Sequence, residues 1–192
     1  MAILVGTHSQ RKGWCKRNGP HPVPLSPTID PMSDAFTDRL DALGVEYEIV
    51  PCDPALADTA AFCEHYGFAL DDSANTIVVM GKADPPVYAA GVVLADTRLD
   101  VNKVVRRRLG TRKASFAGAG DTKALTGMEI GGVTPIGLPV DLPLWVDARV
   151  MERERIILGG GGRDRKVHAP PAILTALGAE VVEDLAKPAP DA

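Results

Sequence analysis

The chain has 192 residues, of which 45% are hydrophobic and 24% are charged, and its formal net charge is −4. This length suits one globular domain, and the apolar fraction is too high for an intrinsically disordered chain. The longest apolar runs fall far short of the roughly 20 residues of a membrane-spanning helix, and no signal-peptide core is recognisable near Met1. A soluble, cytoplasmic domain without a membrane partner is therefore expected.

The net charge is the sum of regions of opposite sign. Residues 1–29 hold four basic residues and no acid, residues 30–72 hold eleven acids against Arg39, and residues 98–113 hold seven basic residues against Asp100. The net charges of these regions are +4, −10 and +6. Because a local basic patch sets the field that a partner meets, the acidic total does not exclude a polyanionic partner.

Residues 1–31 are predicted to be an N-terminal extension, with the folded domain at 32–188. They mix glycine, proline and basic residues without helical or strand periodicity, so they offer little apolar surface to offset the entropy of ordering. Two interpretations are open, an arm that binds nucleic acid and a dispensable extension. The second is favoured.

Beyond the extension, short helices and strands are predicted from apolar periodicity, N-caps and glycine stops. In chain order they are a helix at 34–43, a strand at 45–50, a helix at 55–66, a hairpin of strands 75–80 and 87–95, a helix at 101–109, a strand at 113–117, a helix at 121–126, a loop at 131–143, strands at 144–147, 155–158 and 165–168, a helix at 170–177 and a strand at 179–182. Hairpins mixed with single helices indicate an α+β fold with a mixed, mainly antiparallel sheet.

The helix predicted at 101–109 carries a basic face opposite three valines. The basic residues are spaced three and four positions apart and continue past the helix end: Lys103, Arg106, Arg107, Arg112 and Lys113. Such a ridge can neutralise phosphates without base specificity, or it can be a solvated helix face with cations at the favourable carboxyl end. Both interpretations are open at this point.

Two glycine-rich segments, 118–120 and 159–162, match no nucleotide-binding motif, and positive-φ turns are expected to explain them. Cys63 lies on the apolar side of its predicted helix, which favours a buried structural thiol over a nucleophile. The cysteines form no C-x-x-C pair and the four histidines are scattered, so neither a metal site nor a cofactor is expected.

The predicted loop at 131–143 contains the strongest chemical signal. Gly131 and Gly132 are adjacent, so the backbone can approach a ligand closely and present amide N–H groups to a carbonyl or an oxyanion. Pro135 and Pro139 restrict the loop before a ligand arrives. These residues predict a preorganised backbone cradle in a protein without an evident side-chain nucleophile.

Three segments of the chain resemble the YbaK/EbsC family, whose domain is also the editing domain of bacterial prolyl-tRNA synthetases. They are T-R-L-D-V-N-K at 97–103, L-T-G-M-E-I-G-G-V-T-P-I-G at 125–137 and I-L-G-G-G at 157–161. The resemblance implies a barrel-like sheet with flanking helices and hydrolysis of small amino acids wrongly attached to tRNA. It also implies that the tRNA acceptor end is a partner and that an aminoacyl-tRNA synthetase is a second candidate partner.

The resemblance also suggests site residues. The glycine-to-proline loop of the family corresponds to Gly131, Gly132, Val133, Thr134 and Pro135. In the family, the amides of this loop are thought to hold the aminoacyl carbonyl, while water, the terminal ribose hydroxyl or a substrate thiol is the nucleophile. The basic ridge would then contact the acceptor stem.

The chain departs from the family where a lysine is expected to open the central strand, because Asn75 stands there. Asparagine can donate a hydrogen bond but has no charge and a shorter reach. Lys82, on the same hairpin, is a candidate for the missing charge. Residues around the third segment, Gly159, Gly160 and Lys166, are candidates for substrate binding.

Two functions are compatible with these residues. One is a divergent aminoacyl-tRNA deacylase that uses Asn75 and the loop, and this one is favoured because the backbone cradle is usually the larger catalytic contribution. The other is a binding module that kept the pocket for the aminoacyl end and lost hydrolysis. The sequence identifies neither the amino acid, nor the tRNA, nor the oligomeric state.

Overall fold

The structure, a computed structural model, describes residues 31–189, with side chains from residue 35 onward. The extension predicted for residues 1–31 therefore lies outside the described residues, except for its last residue. The helices are α1 (Pro31–Ala42), α2 (Thr59–Tyr66), α3 (Arg106–Arg108), α4 (Ala119–Thr126), α5 (Ala148–Met151) and α6 (Ala172–Ala176), with 3-10 turns at Pro54–Leu56 and Leu70–Asp72 and a π-helical turn at Val101–Val105. The strands are β1 (Glu48–Pro51), β2 (Ala74–Gly81), β3 (Val87–Leu94), β4 (Thr97–Leu99), β5 (Ala114–Phe116), β6 (Leu144–Asp147), β7 (Ile156–Gly159), β8 (Arg165–Ala169), β9 (Glu180–Val182) and β10 (Ala186–Pro188).

The described strands form three sheets. The largest has five strands in the order β5-β2-β3-β6-β9, the second has the order β1-β8-β7, and β10 pairs with β4. Strand β6 pairs in parallel with both of its neighbours, and the other pairings are antiparallel. An α+β fold with a mixed, mainly antiparallel sheet is thereby confirmed.

The described sheets do not close into a barrel. The edge strands of the largest sheet, β5 and β9, have three residues each and pair with no further strand of the described chain. Only an isolated parallel bridge between Ser73 and Ile157 joins this sheet to the β1-β8-β7 sheet in that part of the chain. The strands that could complete a barrel are therefore too short, and the barrel-like closure implied by the resemblance is not complete.

The predicted hairpin is confirmed as β2 and β3, which pair from Ala74 opposite Leu94 to Gly81 opposite Val87. Strands β4 and β10 and helix α5 were not predicted. Each has only three or four residues, which is too short for a periodic pattern to show.

The prediction of a single helix at 55–66 is wrong, because the structure has a 3-10 turn at Pro54–Leu56 and a separate helix, α2. Asp53 caps the first turn, since its side chain accepts a hydrogen bond from the Ala55 amide at 2.8 Å. The backbone then turns extended at Asp58, and α2 begins at Thr59. The carbonyl of Ala57 accepts a hydrogen bond from the Lys166 Nζ atom at 2.7 Å instead of bonding within a helix. A long-range contact therefore interrupts a locally helical sequence.

The helix predicted at 101–109 is also irregular, because its first half is π-helical and only Arg106–Arg108 is α-helical. The expected apolar face is confirmed, since Val101, Val104 and Val105 are buried in a cluster with Trp145. A second cluster lies between α1, α6 and the sheets, and it includes Phe36, so α1 is part of the core. The structure also buries the Cys63 thiol, as expected.

The loop that follows α4 packs backbone against backbone on the turn between β7 and β8. A Cβ atom on Gly132 would lie 2.5 Å from the carbonyl oxygen of Gly162, and one on Gly159 would lie 2.3 Å from that of Val133. The Gly161 amide donates to the Gly132 carbonyl at 3.0 Å. In the run 159–162, only Gly161 has a positive φ, and close approach to backbone rather than turn geometry requires Gly159 and Gly160. The positive-φ explanation is also wrong for the run 118–120. Gly118 is the N-cap of α4 and Gly120 lies in its first turn, and neither has a positive φ.

We predict that Gly159→Ala destabilises the fold by about 1–3 kcal/mol, because its Cβ would overlap a carbonyl oxygen that no rotamer change can move. Urea unfolding measures this difference. The matched control is Gly120→Ala in α4, where no atom lies within 4 Å of the added Cβ and where alanine favours the helix. Equal losses of stability in the two variants would contradict the packing argument.

Candidate active site

A cleft of about 320 Å³ lies between the first half of β2, the loop after α4 and the β7–β8 turn. Five residues predicted from sequence line it together: Asn75, Gly131, Val133, Gly159 and Lys166. Sequence reasoning missed other lining residues, among them Asp58, Thr59, Thr76, Phe116, Thr122 and Ile130. A cavity of about 20 Å³, large enough for one water molecule, adjoins the cleft at Asn75 and Lys166.

The predicted loop faces the cleft with alternate residues. Gly131 and Val133 line the cleft, and within the described chain their amides form no hydrogen bond, so both donors are free to bind a ligand. Gly132, Thr134 and Pro135 are buried behind them. The Gly132 amide donates to the Glu129 carbonyl at 3.0 Å, so it belongs to the loop's own structure. Two of the five loop residues that were predicted to form the cradle therefore line the cleft.

Asn75 is held by a neighbouring hydroxyl. Thr59, at the start of α2, donates its Oγ1 proton to Asn75 Oδ1 at 2.7 Å. This bond occupies the amide oxygen and leaves the NH₂ group as the free end of a side chain that lines the cleft. Asn75 is thus positioned as a neutral hydrogen-bond donor.

Lys166 contributes a buried positive charge to the cleft. Its side chain is buried between α2 and the loop, and its Nζ atom donates to the carbonyls of Ala57 at 2.7 Å and Gly131 at 3.1 Å. No carboxylate of the described residues forms an ion pair with it. Burial lowers the pKa of Lys166, because the charged form loses its hydration.

Arg163, on the turn before β8, reinforces the same junction. Its guanidinium donates to the Pro54 carbonyl at 3.0 and 3.1 Å and to the Ile130 carbonyl at 3.2 Å. Arg163 and Lys166 therefore both link the 54–57 segment to the loop at 130–131. No sequence signal separated Arg163 from other surface arginines, since its carbonyl partners are distant along the chain.

Lys82 and Gly160 lie outside the cleft. Lys82 is exposed at the other end of β2, seven residues and about 23 Å along the strand from Asn75. The structure thus gives it no place beside Asn75, and the cation that lines the cleft is Lys166. Gly160 is buried behind the glycine turn, where its carbonyl accepts from Arg165 Nε at 3.0 Å.

The basic residues expected to bind tRNA are all exposed and lie away from the cleft lining: Lys103, Arg106, Arg107, Arg112 and Lys113. None of them forms an ion pair with another described residue. The next arginine differs, since Arg108 pairs with Glu180 and lies 4.9 Å from the centre of the Trp145 ring. The exposed cations are therefore available to a polyanion, whereas Arg108 is part of the fold.

In the part of the chain that the structure describes, no cluster of three or more His, Cys, Asp or Glu side chains is arranged to hold a metal ion. Within the same residues, no helix is both long and apolar enough to span a bilayer.

Comparisons with known proteins identify a family and similar chains. Residues 53–177 match the model of the aminoacyl-tRNA editing domain family. A relative from Enterococcus faecalis, the candidate Cys-tRNA(Pro)/Cys-tRNA(Cys) deacylase EbsC, is 29% identical over 110 residues, which are 57% of this chain and 65% of that protein. The alignment thus spans slightly less than two thirds of the relative's length.

Two crystal structures share the fold. A candidate trans-editing enzyme for prolyl-tRNA synthetase superposes with a TM-score of 0.69 at 22% identity, over 81% of this chain and 98% of that one. The hypothetical protein APE2540 gives a TM-score of 0.70 at 24% identity, over 79% of this chain and 98% of its own. Since the family model covers more than half of the chain, the protein belongs to the aminoacyl-tRNA editing domain family, and the resemblance to YbaK and EbsC is confirmed.

Proposed function

We propose that this protein hydrolyses the ester bond of tRNA that carries a wrong, small amino acid, with the cleft at Asn75 and Lys166 as its active site. The observation that carries the proposal is the convergence of free backbone amides and a buried ammonium on one cleft. Among the described residues, no serine, cysteine or histidine lines that cleft. Such a site supplies stabilisation of negative charge and leaves the nucleophile to water or to the substrate.

The proposed reaction adds water to the aminoacyl carbonyl carbon. The carbonyl oxygen becomes an oxyanion, which the amides of Gly131 and Val133 and the Asn75 NH₂ group are placed to bind. The bond to the ribose oxygen then breaks, this oxygen takes up a proton, and the free amino acid leaves. The proton that the attacking water loses passes to this leaving oxygen, directly or through the neighbouring hydroxyl of the terminal ribose.

Lys166 supplies the positive charge that Asn75 lacks. A cation in a partly desolvated site acts on a developing oxyanion more strongly than it does in water. Lys166 reaches the cleft from β8, whereas the family lysine is expected on β2 at the position of Asn75. The charge is thus retained in the same cleft, on a different strand.

The size of the cleft favours a small amino acid. Its walls include Ala74, Ala117, Gly131 and Gly159, and its volume is about 320 Å³ for the amino acid and the terminal nucleoside together. The relative EbsC is named for Cys-tRNA, so cysteine is the first amino acid to test. Alanine and serine are of similar size.

The partner that fits this reaction is the acceptor end of tRNA, bound through the exposed basic ridge in the cytoplasm, where tRNA is charged. An aminoacyl-tRNA synthetase is a further candidate partner, since one structural relative is described as acting for prolyl-tRNA synthetase. A second candidate function is binding of the aminoacyl end without hydrolysis. The neutral Asn75 in place of lysine is the observation that favours it.

Incubation of the purified protein with a panel of mischarged tRNAs tests the proposed function. We expect release of free cysteine, alanine or serine above the rate of spontaneous hydrolysis. Lys166→Met is expected to lower that rate roughly 100-fold, as loss of an oxyanion-stabilising group does. Lys187→Met, at an exposed lysine on β10, is the matched control and keeps the wild-type rate. Binding of tRNA without release from any member of the panel would establish the second candidate function instead.

The buried ammonium also predicts a pH dependence of stability. Burial lowers the pKa of Lys166 in the folded protein, so the unfolded chain binds more protons between that pKa and the ordinary lysine value. The free energy of unfolding of the wild type should therefore rise with pH through this window, relative to that of Lys166→Met. Because the Lys166 charge opposes the rise that burial causes in the pKa of the neighbouring Cys52 thiol, both proteins are compared in a Cys52→Ala background, where no thiol titrates at this position. A difference that is flat with pH would show that folding leaves the pKa of Lys166 unchanged.

The folded domain is proposed to begin at α1, because Phe36 and Leu40 are buried in the core. Removal of residues 1–30 should therefore leave both the melting temperature and the deacylation rate unchanged. Differential scanning calorimetry and the mischarged-tRNA assay measure the two properties. A loss of several degrees would mean that the extension packs on the domain, and a loss of rate alone would favour the nucleic-acid-binding arm.

A further inference from the structure

An exposed aromatic ring stands at the rim of the cleft. Phe116, the last residue of β5, lines the cleft with 52% of its surface accessible. Among the large apolar side chains that the structure describes as exposed, it is the one aromatic residue. Ile130, on the loop after α4, lines the same cleft and is 58% exposed. An apolar surface of this kind next to a reaction site is suited to the flat face of a nucleobase.

Strand β5 leads from this ring to a group of cations. Phe116 pairs with Val79 near the middle of β2, and Ala114 pairs with Gly81 at its end. Just beyond, the Lys82 amide donates to the Lys113 carbonyl at 2.8 Å, which places these two residues side by side. Arg112 precedes Lys113 and is also exposed. We name Lys82, Arg112 and Lys113 the β5 cation cluster.

The cluster and the ring lie at a spacing that one strand of nucleic acid can follow. Lys113 and Phe116 are three residues apart on an extended chain, or about 10 Å. Within the described residues, none of the three cations has an ion-pair partner. Cations that follow a backbone, with an aromatic ring on which a base stacks, are the usual elements of a single-strand binding surface.

We propose that the single-stranded 3′ end of the tRNA lies along β5, with its terminal base stacked on Phe116 and its preceding phosphates beside the β5 cation cluster. The proposal rests on the proposed function, since it takes tRNA as the substrate. It gives the bound strand a direction, because the aminoacyl group must reach Asn75 and Lys166 from the Phe116 side. It also gives Lys82 a role in binding the strand rather than in the cleft.

The alternative occupant of an exposed apolar rim is a protein surface. The cation cluster favours nucleic acid, because an apolar protein contact needs no row of unpaired cations leading to it. Stacking on Phe116 also requires no particular base, since every base has a π face. Specificity for one tRNA must then come from other contacts.

A coupling measurement tests the stacking. Uncharged tRNA with an intact terminal adenosine is compared with the same tRNA whose terminal nucleotide lacks its base, and Kd is measured by fluorescence anisotropy. We expect the wild type to bind the abasic tRNA about 5- to 150-fold more weakly. Phe116→Ala should bind both tRNAs with the same weak affinity. Phe116→Tyr should keep the wild-type ratio of Kd values between the abasic and the intact tRNA. Val140→Ala, which truncates a fully exposed valine outside the cleft lining, is the matched control.

The salt dependence of Kd tests the cation cluster. Each of Lys82→Ala, Arg112→Ala and Lys113→Ala should reduce the slope of log Kd against log salt by about 0.7, the value for one phosphate contact on a single strand. Lys113→Arg should keep the slope, and so should Lys187→Ala on the separate β10–β4 pair.

Two results would overturn the proposal: a Phe116→Ala variant that still distinguishes the two tRNAs as the wild type does, or slopes that are unchanged in all three cation variants. If Kd changes neither on removal of the terminal base nor in Phe116→Ala, the stacking is rejected, and a protein partner becomes the occupant of the rim instead. These measurements use uncharged tRNA, so they do not depend on hydrolysis. Absence of deacylation with intact coupling would reject the enzyme function alone, and deacylation without coupling would reject the β5 route alone.

Discussion

The described cleft depends most on the contacts that two cations make with main-chain carbonyls. Lys166 and Arg163 come from one hairpin, and each joins the 54–57 segment to the loop at 130–131. A buried ammonium is costly unless hydrogen bonds replace its lost hydration. Carbonyl oxygens provide this replacement and leave the positive charge in place, whereas a carboxylate would neutralise it. The contacts that hold the two walls together therefore leave the Lys166 ammonium without an ion-paired carboxylate among the described residues.

Such contacts require that the backbone segments lie very close. Gly132 and Gly159 allow the loop and the β7–β8 turn to approach at distances that no Cβ atom would permit. That approach brings Gly131 within reach of Lys166 and leaves the amides of Gly131 and Val133 at the cleft. Apart from the part of the wall that Gly159 itself forms, these glycines act on the site through the loop. They set the position of the loop, and the loop sets the position of the donors.

Local pattern predicted much of this molecule, because the hairpin, the capped turns and the stiff loop are encoded by neighbouring residues. The resemblance added Asn75 and the region of Lys166. Long-range contacts explain what was missed. The carbonyl of Ala57 bonds to Lys166 across 109 positions of sequence, and this bond divides a helix that its own residues favour. Lys82 was a candidate for the cleft because it shares a hairpin with Asn75. An extended strand rises about 3.3 Å per residue, however, so seven residues of β2 carry Lys82 well away from Asn75.

One consequence follows from the alternation of the loop. The donors proposed to bind the substrate carbonyl include main-chain amides, and the amide of Val133 persists whatever side chain that position carries, proline excepted. Replacement of Val133 would thus reshape the chamber while keeping the machinery that acts on the ester. Selectivity and reactivity can then change independently in this architecture.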